Sequence, residues 1–243
     1  MKVGVKIGPK SPKGYIEKIH PFVDFIEVGA REKFCPTTLS KIEKPIVIHM
    51  AHFEDGVNLS NPRREQKNIK MLEWAVHLAD KFESNKIIFH PDLKEDKFCS
   101  TDHLIRFLKK HYDKRLLVES MPFSTDGIRH LGASFEELEK IVSFSGVGFC
   151  LDLAHSSEYA KISKKNIKKY LNKLLLLNPS HFHLSDNKII GKECDEYHLS
   201  LFEGTLDLEL IKKLIPKGSW VTLETPQILE KQIKEIEFLK SSL

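Results

Sequence analysis

Short apolar runs rich in β-branched residues alternate along the chain with longer stretches whose apolar positions recur at helical spacing. The runs fall at Val3–Ile7, Val23–Val28, Ile46–Met50, Lys86–His90, Arg115–Glu119, Val147–Asp152, His181–Leu184 and Trp220–Glu224. Segments with helical periodicity lie near Pro12–Ile19, Thr38–Ile42, Pro62–Phe82, Thr101–Tyr112, Phe135–Phe144, Ser163–Asn178, Leu206–Leu214 and Gln227–Leu239. Strands continuous in apolar character and separated by helices are buried on both faces, which is the signature of parallel βα units. Local signals agree with this pattern. Ser11-Pro12 and Asn61-Pro62 each put a cap before a proline at the first helical position, and Ser134-Phe135-Glu136-Glu137 resembles a capping box. An open doubly wound sheet would carry a glycine-rich phosphate turn after an early strand. Gly4 and Gly8 flank the first strand without that spacing. The chain is therefore predicted to be an α/β protein, a (β/α)8 TIM barrel forming a single domain over residues 1–243.

In such a barrel the active site lies at the C-terminal ends of the strands. Those ends carry Glu27, His49 (with His52 just beyond), His90, Glu119, Asp152, His183 and Glu224. A single strand-end histidine or glutamate is ordinarily structural. Carboxylates closing apolar runs such as Leu116-Leu117-Val118-Glu119 and Val221-Thr222-Leu223-Glu224 nevertheless need a counter-charge. One divalent cation at the barrel mouth would serve several of them. Mixed oxygen and imidazole donors suit Mn2+, Co2+, Mg2+ or Zn2+.

Composition narrows the picture a little. Lys+Arg 38 against Asp+Glu 34 gives a net charge of +4, too small a surplus to demand a nucleic-acid partner. Cys35, Cys99, Cys150 and Cys194 form no C-x-x-C pair, which argues against a disulfide framework or a cysteine-ligated zinc site and suits a reducing compartment. No signal peptide is evident, and no apolar run approaches the roughly 18 residues of a membrane span, so the expectation is a cytoplasmic protein with no membrane partner. His103, His111 and His130 read as surface or packing residues, Trp74 as the buried face of a helix, and Trp220 as a core residue at the closed end of the barrel.

From about Ile46 to Pro226 the strand-end motifs resemble the xylose isomerase-like TIM-barrel superfamily, which includes sugar isomerases and epimerases and the endonuclease IV type of abasic-site nuclease. The resemblance rests on Leu117-Val118-Glu119, on Asp152-Leu153-Ala154-His155 as a D-x-x-H motif, and on His181-Phe182-His183-Leu184-Ser185-Asp186-Asn187. Tyr197-His198, Glu203-Gly204-Thr205-Leu206-Asp207 and Leu223-Glu224-Thr225-Pro226 extend it. It implies a cation held by Glu119, Asp152, His183 and Glu224. In the sugar enzymes Glu119 and Glu224 would remove and return a carbon-bound proton through an enediolate, with His155 touching substrate oxygens. In the nuclease branch further zinc ligands would come from His49 or His52, His90, His155 and His198. The usual aspartate two residues before the last of these is replaced by Glu196, with Asp195 one residue earlier. Strand register favours His49 as the third-strand ligand, whereas the spacing to Asn58-Leu59 favours His52.

The motif texture around Ser185-Asp186-Asn187 and the modest length read as the sugar branch. The expected function is thus a divalent-metal-dependent isomerase or epimerase acting on a sugar or sugar phosphate, with homo-oligomers common in that family. The alternative is a zinc-dependent endonuclease acting on damaged DNA at abasic sites, favoured by the additional histidines. A non-catalytic metal-binding barrel is a third reading, against which both candidate acid/base glutamates are intact.

Overall fold

The structure, a computed structural model, describes residues 1–32, 34, 39, 43–125, 127–190 and 193–241. Eight parallel strands close on one another: β1 (Lys2–Ile7), β2 (Phe25–Ala30), β3 (Ile46–Met50), β4 (Ile87–Phe89), β5 (Leu116–Glu119), β8 (Gly148–Asp152), β9 (His181–Leu184) and β12 (Trp220–Leu223). Their order around the barrel is β1-β12-β9-β8-β5-β4-β3-β2, so each strand pairs with its neighbours in sequence among the eight and β12 seals against β1. This is the (β/α)8 barrel that the alternation of runs predicts. Between the barrel strands lie two antiparallel hairpins that the sequence reading lacks, β6 (Ser124–Thr125) with β7 (Ile128–Arg129), and β10 (Asp186–Ile190) with β11 (Glu193–Leu199).

The outer layer contains α1 (Tyr15–Ile19), α2 (Glu65–Lys81), α3 (Thr101–Lys110), α4 (Phe135–Ser145), α5 (Leu153–Ile162), α6 (Ile167–Leu175), α7 (Leu208–Leu214) and α8 (Leu229–Lys240). Their starts follow side-chain capping: Ser100 accepts from His103 N, Ser134 from Glu137 N, Asn166 from Lys169 N and Asp207 from Leu210 N. Pro62 opens a 3-10 turn, Pro62–Arg64, that runs into α2 as one continuous helical segment. The segment expected near Thr38–Ile42 lies almost wholly outside the described residues. The helix expected over Ser163–Asn178 is shorter, beginning only after the Asn166 cap. Ahead of it runs α5, which the pattern does not reveal because its residues Leu153–Ala160 are all buried. A helix buried on every side has no polar stripe, and so no amphipathic period to read.

Outward-facing strand residues such as Val3, Val5, Ile48, Phe89, Val118 and Leu151 join the helices in the main core. Inside the barrel, Phe25, Val47, Ile88, Leu117 and Cys150 form a separate apolar plug at the closed end, with Trp220 packed against it. Gly4 makes room for this plug, since a Cβ there would stand 2.4 Å from the Phe25 ring. Trp220 is half-buried, its ring 4.7 Å from that of Phe25 and flanked by the ammonium groups of Lys2 and Lys86 at 4.9 and 4.6 Å. Cys99 and Cys150 are buried free thiols. Among the described residues no helix is long and apolar enough to cross a membrane.

Above the plug the interior turns polar. The loop after β9 is locked by Asp186, whose carboxylate accepts from the backbone N–H groups of Asn187, Gly204 and Leu206 at 2.9, 2.9 and 3.1 Å. A Cβ on Gly204 would lie 2.2 Å from Asp186 Oδ1, so this clasp requires glycine there.

Candidate metal centre

Strand-end residues converge on Glu119, which is fully buried at the end of β5. Its two oxygens face two different groups of side chains. Glu119 Oε2 lies 3.1 Å from His49 Nε2 and 3.1 Å from His90 Nε2. Glu119 Oε1 lies 3.3 Å from His183 Nδ1, which is also 3.3 Å from Glu224 Oε1. Asp152 joins the second group. The donor atoms of Glu119, Asp152, His183 and Glu224 lie within 4.8 Å of one another, as do those of His49, His90 and Glu119.

Hydrogen bonding fixes which imidazole nitrogens face inward. His49 Nδ1 sits 3.0 Å from the Met50 carbonyl and donates to it, so Nε2 presents a lone pair to Glu119. His183 Nε2 donates to Glu27 Oε2 at 3.0 Å, which turns Nδ1 toward Glu119 and Glu224, where it offers a lone pair once its proton is displaced. Glu27 is itself fully buried and accepts from Thr222 Oγ1 at 2.7 Å, with His181 Nε2 at 3.3 Å. A carboxylate behind the far nitrogen of an imidazole is a recurring support for metal-ligating histidines.

Lone pairs pointed at carboxylate oxygens repel unless a proton or a cation lies between them. Glu119 Oε1, Asp152 Oδ2 and His183 Nδ1 are buried and have no hydrogen-bond partner of their own. Unpartnered anionic and imidazole atoms converging on one point fit a divalent cation, and a mixed O/N donor set suits the borderline and hard metals expected from the sequence.

The electrostatics follow from this crowding. Burial works to raise Glu119, but the neighbouring His183 and His90 charges overcome it and hold its pKa well below the usual carboxylate range. Glu224 is likewise lowered, to about 2, because Lys6 and His183 outweigh burial. Asp152 moves the other way. Burial, followed by the charges of Glu119 and Glu224, raises it to about 7. For His183, burial opposes the charged form, but Cys150 and the Glu27, Glu224 and Glu119 carboxylates raise its pKa well above the ordinary value.

A pH dependence follows with a definite sign. The folded pKa of Asp152 lies above the unfolded one, so the stability contribution of its neutral form is complete below about pH 4 and lost as pH rises to about 7. Cation binding needs Asp152 ionised and His183 neutral at Nδ1, and should therefore expel protons below neutrality. Calorimetric titration of metal-free protein with Zn2+ at about pH 6, in buffers of differing ionisation enthalpy, is expected to show net proton release that falls in Asp152→Asn. Enthalpies independent of the buffer would contradict this arrangement.

The outer residues are placed unevenly. His155 is buried, its Nδ1 3.2 Å from the Ser120 carbonyl and 3.4 Å from Asp152 Oδ2. His198 stands 5.6 Å from the His155 ring, its Nδ1 3.7 Å from Glu224 Oε2. Its backbone adopts a left-handed φ of 54°, with its N–H donating to Asn187 Oδ1 at 3.2 Å. Glu196 does not join the cluster; it is exposed and pairs with Lys188 at 3.1 Å. His52 is not at Glu119 either. Its ring stacks on His90 at 4.9 Å, and its Nε2 faces Arg31 Nη2 at 3.0 Å. Of the two third-strand candidates the structure brings His49 to the centre.

A cavity of 410 Å³ opens over this cluster, lined among others by Lys6, Phe53, His90, Met121, His155 and His198. His130 also lines it, buried, with Nε2 2.8 Å from Thr125 Oγ1. The expectation of a surface or packing residue leaves out this place at the cavity, where the β6–β7 hairpin folds it back over the mouth. Sequence reading also passed over Lys6, Glu27 as a partner of His183, and His181. For Lys6 a signal existed: it is a charged residue inside the first apolar run, in register with Glu27 on β2.

A sequence profile described as xylose isomerase-like TIM barrel matches residues 40–242. The chain belongs to that family. Within this xylose isomerase-like barrel family, it is 25% identical over 237 residues to a probable endonuclease 4 of Clostridium botulinum (strain Alaska E43 / Type E3), spanning 90% of this chain and 81% of that protein. Solved structures sharing the fold include a D-tagatose 3-epimerase-like protein (TM-score 0.75, 20% identity, 98% of this chain and 97% of the other). Another is endonuclease IV from Thermus thermophilus (TM-score 0.73, 19% identity, 99% and 98%).

Proposed function

We propose that this xylose isomerase-like barrel is a metal-dependent phosphodiesterase of the endonuclease IV type, cutting DNA at abasic sites. The observation that carries the reading is Glu119. One carboxylate shared between the His49–His90 pair and the Asp152–His183–Glu224 group makes two adjoining cation positions. Two such cations, when bound, would supply Lewis acidity toward a phosphoryl oxygen and a nucleophile at neutral pH. The chain's own residues would hold them, with Asp152, His183 and Glu224 on one side, His49 and His90 on the other, and Glu119 between. His155 and His198 line the cavity where donors to a phosphate oxygen are needed, and Phe53, Met121 and Pro122 give it an apolar wall for a sugar ring. The likeness to a protein described as probable endonuclease 4 supports this assignment.

The sugar isomerase or epimerase reading has one observation in its favour: Glu119 and Glu224, the pair it needs for proton transfer, reach the same centre, each with an oxygen 3.3 Å from His183 Nδ1. Weighing against it is Lys6, whose ammonium lies 2.5 Å from Glu224 Oε1 and so occupies one of the two oxygens with which Glu224 would take up a carbon-bound proton. The deciding experiment is metal counting on protein purified without chelator, alongside incision of an abasic-site oligonucleotide. About two metals per chain and incision abolished by chelation are expected. A single metal, no incision, and solvent-deuterium uptake into a ketose would replace this reading with the isomerase.

A further inference from the structure

Among the described residues, Lys6 is the one cation seated at the cluster besides the imidazoles. It stands at the penultimate position of β1, with its Nζ 2.5 Å from Glu224 Oε1 and 3.9 Å from Glu27 Oε1. Its side chain is 27% exposed, and that exposure opens into the 410 Å³ cavity. It equally lines the larger neighbouring groove of 740 Å³, so it forms the wall common to both.

This placement is costly for a metal centre. An ammonium against Glu224 competes for a carboxylate that belongs to the cation group, and repels any divalent ion a few ångströms away. A neutral residue of similar size would leave Glu224 free. Glu224 occupies only one of the ammonium's three N–H donors, while the side chain reaches the cavity where substrate must lie.

We propose that Lys6 is a substrate-contacting residue, its ammonium holding an anionic phosphate oxygen beside the metal cluster at the expense of cation affinity. This rests on the phosphodiesterase reading only in naming phosphate as the anion. Bound to Glu224 on one side and to a phosphate oxygen on the other, Lys6 would fix the anion against the cation positions, and its charge would offset the oxygen's as it approaches the carboxylates.

The test uses Lys6→Met and Lys6→Arg in the full chain, with two readouts that need no turnover. Zn2+ affinity of the metal-free protein is measured by chelator competition, and inorganic phosphate affinity of the Zn2+-loaded protein by calorimetry. For Lys6→Met, Zn2+ should bind roughly tenfold tighter and phosphate roughly tenfold weaker, opposite shifts that a merely structural lysine would not produce. Lys6→Arg should keep phosphate affinity within about threefold of the parent. Unchanged phosphate affinity in Lys6→Met, or weakened Zn2+ binding, would overturn the proposal. Should Lys6→Met fail to fold, Lys6→Gln takes its place: phosphate binding roughly tenfold weaker supports the proposal, and unchanged phosphate binding overturns it. Failure of the parent to incise abasic DNA would instead remove the phosphodiesterase reading and leave these affinities to decide on Lys6.

Discussion

Replacing Glu119 by Gln is expected to empty both proposed cation positions at once. The bridging carboxylate gives Oε2 to His49 and His90 and Oε1 to the His183 side, so one neutralised side chain removes an anionic donor from each. Gln has nearly the same volume, and β5 is held by parallel pairing to β4 and β8, so the barrel should persist. Metal content after gel filtration should fall from about two per chain to near zero, and abasic-site incision by more than about a thousandfold. Circular dichroism should be unchanged. Retention of one tightly held metal would show that the two groups act separately and that Glu119 is not shared.

His49→Ala and His52→Ala should separate as sharply. In the structure His49 reaches Glu119 while His52 stacks on His90 and pairs with Arg31, an arginine that also holds Asp55. Removing His49 takes away one of two imidazoles on Glu119 Oε2. One metal should be lost and incision should drop by about a hundredfold or more. Removing His52 should leave the metal count unchanged and the rate within about tenfold, because that ring supports His90 from outside. The opposite ranking would mean that the ligand comes from beyond the strand end, and that the segment Ala51–Asp55 rearranges when a cation binds.

Much of this architecture is legible in the sequence because a closed parallel barrel imposes a period on it. Each strand is buried on both faces and reads as an apolar run, and the site must lie where those runs stop. Glu119, Asp152, His183 and Glu224 stand among the residues that close those runs, the family resemblance singles them out as a ligand set, and the structure brings them together. What the sequence conceals depends on tertiary contact. The α5 helix is masked by the burial of Leu153–Ala160, and the β10–β11 hairpin by polar composition that reads as loop. Lys6 and Glu27 sit within runs that otherwise look apolar. Their roles appear only when β1, β2 and β12 become neighbours, with Lys6 in register with Glu27 and Val5 with Leu223, the residue before Glu224. His130 is buried as a packing residue would be, and its place at the cavity appears only once the short β6–β7 hairpin carries it back over the mouth.

Asp152 has two employments that fall on different oxygens. Oδ1 caps α5 by accepting from His155 N at 2.7 Å, while Oδ2 is the unpartnered atom facing the cation group. The interval between Asp152 and His155 is then the interval at which a helix cap meets its N–H partner, and the D-x-x-H motif is a piece of helix geometry before it is a piece of chemistry. Drift at this position passes two independent filters. Serine could cap the helix but brings no anionic donor, and glutamate could keep the charge but is a poor cap. Aspartate alone satisfies both, which ties the start of a helix to the survival of the centre and leaves little room for either to evolve without the other.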